Sequence, residues 1–238
     1  LLTHEDGRMT AIRSFLFLVW FLAVTTVLSL LFLPVLILPR GATVWLARVW
    51  SRATFFGLKL FAGLDWEIRG TVPDGPVLVA AKHMSMWDTL ALYLALNQPA
   101  IVLKRELLRI PFYGWFLAKA AAIPIDRSAG ASALRKMSEA ARAVLAQGRP
   151  ILIFPEGTRK KPGAAPDYKP GVAGLYSQLG VDCVPVTLNS GVYWTGFLKR
   201  PGIIVLEFLE PIPPGMKRDA FMTLLESRIE TATAALLP

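Results

Sequence analysis

The chain has 238 residues, 54% of them hydrophobic and only 18% charged, with a mean hydropathy of +0.47. This excludes a disordered or low-complexity chain and argues against a freely soluble monomer, since soluble domains run about half apolar and a quarter charged. The net charge is +9, and residues 101–170 carry +8 of it, so an anionic partner is to be sought in that stretch.

In chain order, the residues before Met9 read as a polar leader, with Met9 as an alternative start. Ser14 to Pro39 is a run of 26 uncharged residues, mostly Leu, Phe, Val and Ile. As a helix its apolar part extends about 36 Å, enough to cross a hydrocarbon core of about 30 Å, and Pro34 marks a kink or stop near its far end. The run is too long for a signal peptide, and no small-residue cleavage site follows it. Thr43–Leu64 has a different pattern. Arg48, Arg52 and Lys59 form a basic stripe within about 40° on a helical wheel, among Trp45, Trp50, Phe55, Phe56 and Phe61. Such a helix lies in a headgroup region with its cations toward anionic lipid, the alternative being a core helix with a solvated face. Arginines on both sides of the apolar run leave two topologies open, a single crossing or a hairpin that dips in and returns. Either way, Arg40, Arg48 and Arg52 put the bulk of the chain on the cytoplasmic side of the cell inner membrane.

From Trp66 onward short apolar runs alternate with helical patterns. Strands are expected at Val77–Ala81, Ala100–Leu103, Ala122–Ile125, Ile151–Phe154, Cys183–Leu188 and Ile203–Phe208. Helices are expected at Asp88–Asn97, Glu106–Ala120, Ala131–Gln147, Val172–Leu179 and Asp219–Leu236, with Gly148 as a stop signal for the third. The alternation predicts an α/β fold with a mixed, largely parallel sheet covered by helices. Two units follow: 1–64, membrane-embedded and interfacial helices, and 65–238, the α/β domain. The lone cysteine, Cys183, sits in an apolar run and reads as a buried small hydrophobe. With only His4 and His83 beside it, no Cys/His zinc centre and no other metal site is expected.

Functional residues in such a sheet gather at strand ends. His83 follows the first strand and Asp88 comes five residues later at a helix start. Asp88 can accept the Nδ1–H and leave Nε2 as a general base, or it can simply cap the helix. Phe154-Pro155-Glu156-Gly157-Thr158-Arg159 follows another strand: Gly157 lets backbone approach an anion, Thr158 offers a hydroxyl and Arg159 a bidentate grip on phosphate. Arg127, in Ile125-Asp126-Arg127, and Lys104 follow two further strands, so three basic clusters stand at strand ends inside the +8 stretch. One base candidate with several phosphate-gripping cations, tethered to a membrane, suggests chemistry on a phosphorylated lipid, not on nucleic acid. GxGxxG, Walker, GxSxG and HExxH motifs are absent.

His83-Met84-Ser85-Met86-Trp87-Asp88 is similar to the H-x₄-D signature of the glycerolipid acyltransferases, and Phe154–Arg159 reproduces their F-P-E-G-T-R block. Ile125-Asp126-Arg127 and Val184-Pro185-Val186 stand where the second and fourth blocks fall, so the resemblance spans about Val77 to Thr187. Ahead of Ile125 this chain has Ala122 and Pro124 where the family often has Gly and an aromatic. Within the family it looks most like the 1-acyl-glycerol-3-phosphate acyltransferases of the PlsC type.

The resemblance implies that His83, oriented by Asp88, activates the sn-2 hydroxyl of a lysophospholipid. That oxygen attacks the thioester of acyl-CoA or acyl-carrier protein, and phosphatidic acid is the product. Lys104, Arg127, Thr158 and Arg159 would hold the acceptor phosphate, with Glu156 and Gly157 shaping the pocket; no cofactor is implied. The competing readings are an acyltransferase for another lyso-lipid such as lyso-ornithine lipid, a lipid hydrolase using Ser85, and a non-catalytic protein that binds anionic lipid.

Overall fold

The computed structural model describes residues 4–111, 113–126 and 130–238. Helix α1, His4–Leu31, carries the apolar run and ends where Phe32 leads into a 3₁₀ turn over Leu33–Ile37, with Pro34 in its first turn. Helix α2, Arg40–Gly57, continues as a π-helical turn through Ala62, and Gly63 closes it in the left-handed region at φ +64°. The two helices run antiparallel. Arg13 Nε donates to the Phe61 carbonyl at 2.8 Å, Trp20 Nε1 to the Ala53 carbonyl at 2.8 Å and Trp50 Nε1 to Thr25 Oγ1 at 2.9 Å, so residues pair in reverse order along the hairpin. A Cβ on Gly57 would come within 2.1 Å of the Trp20 ring, so this close approach requires glycine.

The α/β domain is built on a seven-stranded sheet. In chain order the strands are β1 (Leu64–Arg69), β2 (Leu78–Ala81), β3 (Ala100–Lys104), β4 (Ile123–Ile125), β5 (Ile151–Ile153), β6 (Cys183–Leu188) and, after a two-stranded hairpin of β7 (Trp194–Thr195) and β8 (Leu198–Lys199), β9 (Gly202–Phe208). The spatial order is β1-β9-β6-β2-β5-β3-β4, parallel throughout except where β9 runs against β6. The intervening helices are α3 (Trp87–Ala95), α4 (Tyr113–Lys119), α5 (Gly130–Leu145), α6 (Gly171–Leu179), α7 (Ser190–Tyr193) and α8 (Arg218–Leu236).

Alternation along the strands divides the core into two layers. Val79, Ala81, Leu152, Val184, Val186 and Leu206 pack with Phe17 of α1, Phe55 of α2 and Trp87 and Leu90 of α3. Leu78, Ala80, Ile151, Ile153 and Cys183 point the other way, onto Met137 of α5, Tyr176 of α6 and Phe221, Leu225 and Ile229 of α8. The largely parallel sheet covered on both faces is the expected fold, and Cys183 is fully buried as expected, its thiol pushed up mainly by that burial.

Two expectations about elements need correction. Glu106–Ala120 is not one helix: a 3₁₀ turn over Arg105–Arg109 is followed by α4. Pro111 has no N–H to give, and its ring clashes with the carbonyl four residues back. Strand β1 escaped notice because Leu-Asp-Trp-Glu-Ile-Arg is half charged; it is tolerable as an edge strand paired with β9 alone.

The basic stripe on α2 is largely spent on the protein itself. Arg48 donates to the Leu94 carbonyl at 3.0 Å, with longer bonds to those of Tyr93 and Leu96, and so closes the C-terminal end of α3. Lys59 pairs with Asp65 at 2.6 Å, and that contact holds the Asp65 carboxyl below its usual range. Arg52 is exposed.

Candidate active site

β6, β2, β5, β3 and β4 are parallel neighbours, so their C-terminal ends open onto one edge of the sheet. β2 delivers Lys82 and His83; β5, next to it, delivers Phe154–Arg159; β6, on its other side, delivers Asn189 and Ser190.

His83 Nδ1 lies 3.0 Å from Asp88 Oδ2, with the histidine 13% exposed and the aspartate fully buried. The same oxygen accepts the backbone N–H groups of Met84 at 2.6 Å and Ser85 at 2.8 Å. Asp88 Oδ1 accepts the hydroxyls of Ser85, at 3.1 Å, and Ser190. Five donors therefore converge on one buried carboxylate, which is how a charge survives without solvent. The Nδ1–H tautomer is the one this acceptor selects, leaving Nε2 with its lone pair. The imidazole stacks on Phe154, centroids 4.0 Å apart, and the Lys160 N–H donates to the His83 carbonyl at 2.8 Å. Ring and loop are thus held from the β5 side as well.

Asp88 is not the helix cap that its position suggested. Met86 occupies the cap of α3, and Asp88, inside the first turn, reaches backward to the loop. Ser85 does not fit a nucleophile: it is buried, its hydroxyl donates to Asp88 with the Ser190 oxygen 2.9 Å away, and it accepts the Trp87 N–H at 3.1 Å. A serine hydrolase needs its hydroxyl on the histidine and open to substrate.

The β5 turn is held from inside. Gly157 adopts φ +63°, where glycine alone is unstrained, and its N–H donates to the Phe154 carbonyl at 2.9 Å. Glu156 is buried with Oε1 3.2 Å from Lys82 Nζ, and burial pushes its carboxyl up against the pull of Lys82. Thr158 and Arg159 point outward and are exposed. Arg159 approaches Tyr113 of α4: the phenol is pushed up by burial, and the guanidinium opposes that rise.

The expected site residues are not equally close. His83, Asp88, Glu156, Gly157, Thr158 and Arg159 come from adjacent strand ends, whereas Lys104 closes β3, two strands from β2 and about 10 Å away in the sheet. Arg127 lies outside the described residues. Ser190 and Lys82 were missed. Ser190 lies 102 residues from Asp88 with no motif of its own, although it stands two residues past a strand already expected. Lys82, beside His83, was detectable as a lone cation at the end of an apolar strand.

Beside the catalytic edge lies an apolar cavity of about 470 Å³. It is bounded by Leu28 of α1, Leu46 and Trp50 of α2, Leu90 and Tyr93 of α3 and Phe116 of α4, and it includes Thr89, next to Asp88, and Tyr113.

A buried histidine–aspartate pair on the edge of a parallel sheet, flanked by an apolar hairpin and cavity, is the architecture of an enzyme acting at lipid. The chain belongs to the acyltransferase family: that family's model matches residues 65–189. It is 35% identical over 205 residues to a 1-acyl-sn-glycerol-3-phosphate acyltransferase of Pseudomonas aeruginosa, covering 83% of this chain and 79% of that one. A human 1-acyl-sn-glycerol-3-phosphate acyltransferase alpha is 33% identical over 197 residues, or 77% of this chain and 69% of its own. The fold is shared with the crystal structure of the 1-acyl-sn-glycerophosphate acyltransferase PlsC from Thermotoga maritima, with a TM-score of 0.77 at 22% identity, covering 95% and 97% of the two chains.

Proposed function

We propose that the chain transfers an acyl group from a thioester, acyl-CoA or acyl-carrier protein, to the sn-2 hydroxyl of 1-acyl-glycerol 3-phosphate, giving phosphatidic acid. The observation that carries this is the His83–Asp88 pair set one strand from the Phe154–Arg159 turn. His83 Nε2 takes the proton from the sn-2 hydroxyl as that oxygen attacks the thioester carbonyl; the tetrahedral intermediate collapses, and the thiolate leaves with the proton returned by the imidazolium. Asp88 stabilises that imidazolium. Arg159 and Thr158 hold the acceptor phosphate on a turn shaped by Glu156 and Gly157. Lys104, at the end of β3, adds positive potential and favours an acidic carrier protein, CoA and anionic lipid, and Arg127 is a further candidate for holding the acceptor phosphate. The thioester is already activated, so positioning both substrates supplies much of the rate, and the mechanism calls for no cofactor.

The cavity between the hairpin and α3 suits an acyl chain, and Tyr113, one of its lining residues, feels the charge of Arg159. The hairpin lies along the domain. At one end the Ser14 hydroxyl accepts the Lys199 N–H at 2.8 Å; at the other Arg40 donates to Gln98 and Gln147, both at 3.2 Å. A helical hairpin fastened to the domain through both α1 and the start of α2 dips into a leaflet and returns. Phe15, Leu22, Leu31, Ile37, Trp45 and Phe56, all more than 45% exposed, face the lipid. The cations flanking the hairpin support an orientation with the domain on the cytoplasmic side of the inner membrane.

The test is a panel of lyso-lipid acceptors given with acyl-CoA and with acyl-carrier protein to purified enzyme in vesicles. Phosphatidic acid formed by the wild-type protein, with loss in His83→Ala and a raised acceptor KM in Arg159→Ala, is expected. Acylation of lyso-ornithine lipid in preference, or fatty acid released without acceptor, would overturn the assignment.

A further inference from the structure

Lys82 is a buried ammonium that the proposed reaction does not use. It joins the end of β2 to His83 and is 2% exposed. Its Nζ lies 2.7 Å from Glu230 Oε1 on α8 and 3.2 Å from Glu156 Oε1 in the turn after β5. Tyr168 donates its hydroxyl to the same Glu230 oxygen at 2.9 Å, and the Lys169 N–H donates to the Pro155 carbonyl at 2.9 Å. Three separate segments of the chain meet at this cation, and a fourth joins through the Tyr168 bond to Glu230.

Glu230 approaches from a helix that is itself fixed. Leu225 and Ile229 are fully buried, the Thr233 and Thr187 hydroxyls lie 2.7 Å apart, and Arg228 donates to the Glu210 carbonyl at 2.8 Å. A buried ammonium needs its counter-charges close; without them it must swing toward solvent or lose its proton. Swinging out drags the backbone immediately before His83. Losing Lys82 instead strands Glu156, whose Oε2 is buried and has no hydrogen-bond partner among the described residues. The carboxylate would then have no cation to offset its burial, and the turn bearing Thr158 and Arg159 would lose its inner anchor.

We infer that Lys82 and Glu230 are positioning residues for catalysis: α8 fixes the Lys82 ammonium, which fixes both the backbone before His83 and the inner end of the Glu156–Arg159 turn. The kinetic part of this inference rests on the proposed function; its spectroscopic part does not. His4 and His83 are the only histidines. Histidine-labelled protein of this sequence in micelles therefore gives two imidazole signals, and a His4→Gln control assigns them.

Lys82→Met and Glu230→Gln should each move the His83 signal at fixed pH and leave that of His4 in place. In turnover, kcat should fall about 100-fold in Lys82→Met and about tenfold in Glu230→Gln, with the thioester KM within twofold of wild type. Lys82→Arg should restore at least a tenth of the wild-type kcat. In the double variant the losses should not multiply, because both act through one contact. An unmoved His83 signal, multiplying losses, or folded variants with kcat within twofold of wild type would overturn the inference. Wild-type protein that leaves lysophosphatidic acid unacylated would instead overturn the proposed function, with the imidazole result still deciding this one.

Discussion

Replacing Asp88 with Asn separates the charge of this residue from its shape. Oδ2 faces three donors, the Met84 and Ser85 N–H groups and His83 Nδ1, whereas Oδ1 faces two hydroxyls. Hydroxyls can turn and accept, and N–H groups cannot, so the amide oxygen takes the Oδ2 place and the NH₂ faces Ser85 and Ser190. The loop then survives. Exchanging charged for neutral hydrogen bonds costs about 1–2 kcal/mol, or a drop in Tm of about 2–8 °C for a chain of this size. The catalytic cost is larger. The imidazolium formed during proton transfer loses a carboxylate whose charge centre lies about 4 Å away, an attraction of about 4 kcal/mol at an effective dielectric of about 20. That is close to three powers of ten in kcat. The assay is steady-state transfer from acyl-CoA to lysophosphatidic acid in vesicles, with a thermal melt of the same preparation. A kcat within tenfold of wild type would refute the electrostatic role, and a protein that no longer melts cooperatively would refute the claim that shape is preserved.

Ser85→Ala should keep activity within about tenfold of wild type, since one of several donors to Asp88 is lost and the remaining ones hold the carboxylate; trapping of an acyl-serine at position 85 by mass spectrometry would restore the covalent route. Gly57→Ala should force the Trp20 ring off its bond to the Ala53 carbonyl at about 1–3 kcal/mol, seen as a Tm lower by about 2–4 °C per kcal/mol. Lys199 is buried between α1 and the β7–β8 hairpin, and burial lowers its pKa to about 8. The unfolded chain, with a lysine near 10.4, then binds more protons between pH 8 and 10, so this residue adds stability as pH rises through that window. Melting curves of wild type and Lys199→Met across pH 7–10.5 should differ by that rising component; parallel curves would refute it.

The H-x₄-D and F-P-E-G-T-R blocks were legible because each is local: its residues lie within six positions of one another and follow an apolar strand. The two-faced sheet was legible for a related reason, since parallel strands buried on both sides read as continuous Val, Ile and Leu runs, as in Cys183–Leu188. β1 was hidden by the same logic, because an edge strand with charges on alternate positions lacks that signature. The partners of the α2 basic stripe were not legible, because a helical wheel shows which side chains share a face and not what lies opposite. Arg48 met the carbonyls ending α3 in place of lipid.

The sequence by itself therefore determined the alternation of strands and helices, the apolar N-terminal helix and the two blocks that carry the family's signature. Local spacing and hydrophobic period encode all of these. Tertiary structure decided which donors reach Asp88, that Ser85 is withdrawn from solvent, and that α8 reaches Lys82 across 148 residues through Glu230. The hairpin's return along the domain belongs to that second group as well. The physical reason is the same in each case. Burial and long-range pairing depend on the order of strands in the sheet, and no residue's neighbours along the chain specify that order.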